Sequence, residues 1–300
     1  MIQKFDKRNK DIKVWINGKL LHRDHAKISV FDSSVQGGDA VWEGIRVYKS
    51  RIFCFEEHLN RLVESAKSMA FTNIPSLIEV RNAVFSTLEA NRMEDDAHIR
   101  LTLTRGEKIT SGMNPVLNQL GCSLIVLAEW KPPIFYGKDL CLVTSSIRRN
   151  SPLCIDSKIH HANLINNILA KIEANHAGAD DALMLDLDGF VAETNSTNIF
   201  MIKDGVLITP FAKACLPGIT RNLIFQICKM NNFSILEQNL SVTQLYNADE
   251  VFTTGTMGEL ARVNEIDKRK IENKGEVFRQ IQTLFRELTE GNGERLPFSF

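Results

Sequence analysis

The sequence predicts a mixed α/β protein of two domains, and three observations predict it. The chain has 300 residues, more than one ordinary core organises and enough for two, each with a core of its own. Apolar runs with β-branched residues recur in both halves, interleaved with stretches whose apolar residues fall three and four apart. Between the halves, Trp130 to Gly137 (WKPPIFYG) carries two prolines and breaks both patterns. These set an N-terminal α/β domain over 1–130, a linker over 131–137 and a C-terminal domain over 138–300.

The elements follow in order. Lys13 to Leu21 places Asn17-Gly18 between two short β-rich runs, the signal of a two-residue hairpin, and Ile28 to Phe31 reads as a further strand. Gln36 to Gly44 is a glycine-rich turn into a strand at Ile45 to Tyr48, followed by a turn at Lys49 to Arg51 and a strand at Ile52 to Phe55. A helix then starts at Phe55, with Leu59, Leu62, Val63, Ala66 and Met69 inward, and Pro75 opens a second helix through about Asn91. His98 to Thr104 and Cys122 to Ala128 read as strands of one sheet. In the second half, strands are expected at Leu140 to Thr144, Ala182 to Leu185, Ile199 to Ile202, Val206 to Ile208, Phe233 to Leu236 and Glu250 to Thr254. Helical spacing covers Leu164, Ile165, Ile168, Leu169 and Ile172. It recurs in Ile219, Leu223, Ile227 and Met230, and a terminal helix runs from Val277 to Leu288.

Composition narrows the function. Thirty-six basic and 36 acidic residues cancel, so no global field favours nucleic acid or an anionic membrane, and a small-molecule partner is expected. No run of 18 apolar residues exists and the N-terminal residues lack the apolar block of a secretion signal, which predicts a cytoplasmic protein. The six cysteines (54, 122, 141, 154, 215 and 228) are scattered without CxxC or zinc spacing. They read as reduced residues, mostly in the core, and no metal site is expected.

Five features carry chemistry. Gly218-Ile219-Thr220 opens a helix, where unpaired amides and the dipole favour an anion and Thr220 adds a hydroxyl. Thr253 to Thr256 is a hydroxyl-rich strand end, and Arg61 offers a planar fork for bidentate contact. Glu193 precedes the polar run Thr194 to Asn198 and could hold a proton on a heteroaromatic nitrogen. Lys158, between Asp156 and two histidines, is an amine that desolvation would make nucleophilic. Taken singly, each is more often a cap, a loop or a solvated side chain.

Together these residues resemble a known family. Val41 to Arg46 (VWEGIR), His58 to Leu62 (HLNRL), Glu193 with Asn198, Leu216 to Arg221 (LPGITR), and Thr254-Gly255-Thr256 with Glu259 stand in the order and at the spacing of the class IV, fold-type IV pyridoxal-phosphate aminotransferases. The resemblance runs from about Val14 to the terminal helix. It implies a smaller N-terminal α/β sandwich, a larger C-terminal pseudo-barrel, pyridoxal 5′-phosphate as cofactor, and a homodimer. It also implies roles: Lys158 as the Schiff-base lysine, Glu193 on the pyridine nitrogen, and Arg61, Ile219, Thr220 and Thr256 on the phosphate. Trp42, Arg100, Thr256 and Met257 would line the substrate side.

Trp42 to Arg46 and His98 to Arg100 are most similar to the branched-chain enzymes. The activity implied is amino transfer between a branched-chain L-amino acid (Leu, Ile or Val) and 2-oxoglutarate. A D-amino acid or amine transaminase, or an aminodeoxychorismate-lyase-like enzyme, is the alternative, suggested by Gln36 to Asp39; a non-catalytic homologue ranks below these. Three departures stand out. Lys158 precedes Asn163 by five residues where the family has three or four, so that counting back three reaches His160. Leu164 replaces a tyrosine that follows the asparagine, and Gly37 replaces another early in the glycine-rich segment.

Overall fold

The computed structural model describes residues 5–135, 137–272 and 275–300; Tyr136, inside the expected linker, lies outside them. The chain divides into two compact units. One holds 133–158 and 164–288, and the other holds 2–132 together with 159–163 and 289–300.

The unit that contains the N-terminal half is built on a seven-stranded sheet. Its strands are β1 (Lys13–Ile16), β2 (Lys19–His22), β3 (Ala40–Tyr48), β4 (Arg51–Ile52), β5 (Ala97–Thr104), β6 (Ser123–Trp130) and a short C-terminal strand, Glu294–Arg295. The order is the C-terminal strand, then β4-β3-β5-β6-β1-β2. Asn17 and Gly18 both take positive φ, 45° and 87°, which is what a two-residue turn between right-twisted strands requires. The expected strand at Ile28 to Phe31 does not form. Val30 and Phe31 are exposed there, and an apolar run that buries nothing has no sheet partner to hold it extended.

The glycine-rich segment is instead a short helix, α1 (Ser33–Gly37), closed by Gly38 at φ 65°. β3 begins at Ala40, earlier than the sequence suggests, because its full length pairs with β5 from Ala40↔Thr104 to Val47↔Ala97. Helices α2 (Phe55–Ser68) and α3 (Leu77–Ala90) cover the sheet and bury Leu59, Leu62, Val84 and Leu88 against Ile45, Val47, Ile99 and Leu101. Ser76 caps α3 through a reciprocal bond with Glu79, so Pro75 stands outside the helix.

The other unit is built on nine strands. They are β7 (Leu140–Thr144), β8 (Asp181–Leu185), β9 (Val191–Thr194), β10 (Asn198–Lys203), β11 (Val206–Thr209), β12 (Ile235–Glu237), β13 (Glu250–Gly255), β14 (Glu259–Ile266) and β15 (Arg269–Lys270). The order is β12-β11-β10-β13-β14-β7-β8-β9, with β15 on β14. Strand β9 ends this order and β10 lies inside it, yet only residues 195–197 join them. A three-residue link cannot cross a flat sheet of that width, so the sheet curls to bring its edge back, as a half-barrel does. Its interior is apolar, with Leu140, Leu183, Ile199, Val251 and Val263 among the buried residues.

Helices α4 (Ile165–His176), α5 (Ile219–Met230), α6 (Val242–Tyr246) and α7 (Glu276–Gly291) belong chiefly to this unit. Helix α4 forms where the spacing places it. Ala170 and Ala174 are its buried residues and pack on Ala182 and Met184 of β8, so the helix lies close on the strand through its small side chains. The branched stripe that carries the helical spacing faces out, with Ile165 65%, Ile168 51%, Leu169 44% and Ile172 42% exposed. All six cysteines are free thiols; only Cys215 and Cys228 are buried, and Cys154 is exposed, so fewer sit in the core than the sequence suggests. Among the described residues no helix is long and apolar enough to cross a membrane.

Candidate active site

Glu193 is positioned by the curl. It lies on β9 opposite Met184 of β8, next to a register shift, and is 5% exposed. Arg149, itself 6% exposed, donates from Nε to Glu193 Oε1 at 2.6 Å and from Nη1 to Asn166 Oδ1 at 3.1 Å. Asn198 donates from Nδ2 to Glu193 Oε2 at 3.3 Å and to the Leu216 carbonyl at 2.8 Å, and its Oδ1 accepts from the Gly218 amide at 3.2 Å. Burial raises the Glu193 carboxyl above the usual carboxylate range, and the Arg149 guanidinium opposes that without reversing it.

Asn198 therefore ties the carboxylate to the turn that opens α5. A β-carbon at Gly218 would run into Asn198 Oδ1, so only glycine fits that approach. Gly218 leaves α5 without a side-chain cap, and the amides of Ile219 and Thr220 begin a twelve-residue helix over a nearly buried Thr220. Such an end attracts an anion. The pairing of β10 with β13 sets Thr254 opposite Asn198; Thr254 is buried and its Oγ1 has no hydrogen-bond partner. Thr256 and Met257 follow in the turn to β14, half-buried, and the Met257 carbonyl accepts from the Ile134 amide at 3.0 Å. Glu193, Asn198, Gly218 to Thr220 and Thr254 to Thr256 thus form one connected set.

Lys158 belongs to the same unit but is held differently. It sits in a turn, its side chain is 49% exposed, and Nζ lies 3.5 Å from Asp156. It lines a cavity of about 450 Å³ with Leu153, Asp186, Asp188, Lys213 and Ala214. Burial pushes the Cys215 thiol up to about 12; Glu193 adds to the rise, and Arg221, Arg149 and Lys158 oppose it.

The remaining predicted residues lie in the other unit. Glu43 on β3 is fully buried and faces α2, whose His58 and Arg61 stand one turn apart. Arg61 donates from Nε to Oε1 at 2.8 Å and from Nη2 to Oε2 at 2.6 Å. His58 Nδ1 donates to Oε2 at 2.7 Å, and His160 Nδ1 donates to Oε1 at 3.0 Å. Burial opposes ionisation of Glu43, but His160 and Arg61 outweigh it and hold its carboxyl well below the usual range. The third end of the fork, Arg61 Nη1, is buried without a hydrogen-bond partner. Trp42 touches the ring of His160 at 4.2 Å between centroids and the Arg100 guanidinium at 3.4 Å. Burial lowers Arg100 to about 10 while Glu43 resists the fall. Asn163, from which the lysine spacing is counted, donates from Nδ2 to the Gly38 carbonyl at 2.9 Å.

Two residues with a place in these sets escaped the sequence reading. Arg149 is 44 positions from Glu193 and announces itself only as the second of two arginines following β7. Glu43 stands in a recognised motif, but nothing in its spacing foretells that four charged or polar bonds converge on it.

One unit thus pairs a curled mixed sheet with a buried carboxylate wired to an uncapped helix start, and the other holds an arginine with a buried spare donor. The chain belongs to the class IV aminotransferase family, whose profile matches residues 40–266. It is 55% identical over 293 residues to branched-chain-amino-acid aminotransferase-like protein 2 of Arabidopsis thaliana, covering 96% of this chain and 52% of that one. The chain spans about half the length of that relative. The fold is that of the fold-type IV enzymes. The branched-chain amino acid aminotransferase of Escherichia coli superposes with a TM-score of 0.89 at 31% identity, covering 95% of this chain and 97% of that one. The branched-chain amino acid aminotransferase of Thermobaculum terrenum, solved in its pyridoxal-phosphate form, does so at 0.85 and 25%, over 94% and 95%.

Proposed function

We propose that the protein is a pyridoxal 5′-phosphate-dependent transaminase that moves an amino group between a branched-chain L-amino acid (Leu, Ile or Val) and 2-oxoglutarate. The observation that carries this reading is the buried Glu193 carboxylate joined through Asn198 to the start of α5. Within the curled-sheet unit we assign the Glu193 carboxylate to a ring nitrogen, the amides of Ile219 and Thr220 with Thr256 to a phosphate, and the Lys158 amine to the aldehyde carbon; in the other unit the spare Arg61 donor supports assigning that residue to the phosphate as well. Pyridoxal 5′-phosphate, when bound, supplies the electron sink that lets an amino acid lose its α-proton.

The protein's own groups do the rest. Lys158 is the general base that takes the α-proton and returns it, and Asp156 at its amine keeps it within the cavity mouth. Glu193, kept from solvent and fixed by Arg149, holds a proton on the cofactor's ring nitrogen. We assign Trp42, Arg100, Thr256 and Met257 to the substrate; the Arg100 guanidinium on the Trp42 indole face supports this as a cation for a carboxylate. The 131–137 stretch serves as the linker between 1–130 and 138–300, and the enzyme works in the cytoplasm as a homodimer. The exposed branched stripe of α4 supports the dimer, since a row of four such side chains suits an interface better than water.

The assay is direct. Purified protein is incubated with L-leucine or L-isoleucine and 2-oxoglutarate, and the branched keto acid is measured; D-alanine or a chiral amine with pyruvate forms the second arm. Conversion of the L-amino acids is expected. Turnover of D-alanine or the amine alone would overturn the substrate assignment, and Ile168→Glu should leave a monomer by light scattering if α4 forms the interface.

A further inference from the structure

Segment 159–163 lies on β3 by its own hydrogen bonds. The Trp42 amide donates to the His160 carbonyl at 3.0 Å, the Trp42 indole N–H to the His161 carbonyl at 3.1 Å, and the Ala162 amide to the Ala40 carbonyl at 2.8 Å. The His160 amide donates to Ser65 Oγ at 3.1 Å, which fixes the backbone of the histidine against α2. With its backbone pinned on two elements, the His160 ring has a defined place: over Trp42, with Nδ1 on Glu43 Oε1.

We propose that His160 is a positioning residue for anion binding, acting through Glu43 to hold the Arg61 guanidinium with its Nη1 donor unengaged; this rests on the cofactor reading above. The carboxylate of Glu43 is the fulcrum. His58 fixes one oxygen and His160 the other, so the plane of the carboxylate cannot rotate, and the bidentate pair then fixes the plane of the guanidinium. A planar fork held at two corners has one direction left for its third. Nη1 is that corner, buried and without a partner, which is how a donor looks when its acceptor arrives with a ligand. Without His160, Oε1 is held by Arg61 alone, the carboxylate keeps only His58 to set its plane against Arg61, and the guanidinium is held less firmly in turn. The same residue packs tilted against Trp42, so a histidine three before Asn163 steadies both an anion contact and a ring assigned to the substrate.

The test separates phosphate recognition from folding. Apo-protein and the variants His160→Ala, His160→Asn and His160→Phe are titrated with pyridoxal 5′-phosphate, with pyridoxal and with inorganic phosphate, following absorbance for the first two and thermal shift for the third. His160→Ala should bind pyridoxal 5′-phosphate about tenfold more weakly, the scale of one charge-assisted hydrogen bond, while pyridoxal changes by less than about twofold. His160→Asn, whose side-chain N–H can reach Glu43, should recover most of the loss. His160→Phe keeps a ring on Trp42 and should bind like the alanine variant. Stabilisation by inorganic phosphate should follow the same order. Equal losses for pyridoxal 5′-phosphate and pyridoxal, or no loss in His160→Ala and His160→Phe, would overturn the assignment of His160 alone. Wild-type protein that binds neither pyridoxal 5′-phosphate nor phosphate would overturn the cofactor reading and the inference with it.

Discussion

Glu193 and Lys158 are the two groups the proposed chemistry needs most, and the fold treats them in opposite ways. Glu193 stands on a strand of the curled sheet, buried, with Arg149 at 2.6 Å and Asn198 relaying its position to the start of α5. Lys158 stands in a turn, half-exposed, with the Asp156 carboxylate at 3.5 Å. The difference matches the two proposed tasks. A carboxylate that must hold one proton on one ring atom gains from being immobile, because each bond that fixes it is made before the ligand arrives. An amine that must attach, leave and return a proton has to move between positions, and a tight network would oppose every move.

Four substitutions sharpen or break this contrast, in falling order of effect. Lys158→Ala should abolish keto acid formation from L-leucine and 2-oxoglutarate while cofactor is still retained; turnover at wild-type rate would remove Lys158 from the mechanism. Arg149→Met should destabilise the fold by about 3–5 kcal/mol in urea denaturation, because it leaves Glu193 buried without its charge partner. A loss under about 1 kcal/mol would mean that Glu193 is not held as the geometry implies. Glu193→Gln keeps the shape but not the charge, and should lower kcat by about a hundredfold, the usual scale for one preorganised electrostatic contact. Asp156→Ala removes the carboxylate at the Lys158 amine and should change stability by less than about 0.5 kcal/mol, since the pair is exposed. A larger cost there would show that the lysine is as tightly built in as the glutamate.

The other unit adds an acid-side check. His98 is buried with no partner for Nε2, and desolvation, aided by Lys131, Arg46, Arg100 and His58, lowers it to about 3. The unfolded chain binds a proton near pH 6.5 and the folded chain does not, so stability is fully present above about 6.5 and declines as pH falls toward 3. His98→Gln should flatten that part of the Tm-against-pH curve; an unchanged slope would assign the acid loss to other groups.

How much of this was legible in the sequence depends on whether the signal is local. The hairpin at Asn17-Gly18, the helices from Phe55 and Ile219, and the strands at 97–104, 140–144 and 250–255 are written in turn residues and periodicity, and they formed within a few residues of expectation. Helix α4 was legible as a helix but not in its orientation. Periodicity finds the bulky stripe, whereas the docking face is decided by the closeness that Ala170 and Ala174 allow against β8. Val191–Thr194 escaped notice because four residues, two of them polar, make no pattern; the curl of the sheet buries all four. In the site, Glu193 could be suspected from the polar run after it. Arg149 and the bonds meeting at Glu43 could not, because contacts 44 and 117 residues apart leave no local trace.

The proposed mechanism turns on the half-exposed amine of Lys158 carrying the cofactor. Lys171 is the contrasting lysine, tied to Asp181 at 3.3 Å and to the Asp180 carbonyl. Holoprotein is reduced with borohydride, digested, and the phosphopyridoxyl peptide sequenced by mass spectrometry. The account predicts a single modified residue, Lys158, in the peptide that also contains His160 and His161. Modification of Lys171, or none in a protein that has bound the cofactor, would contradict it.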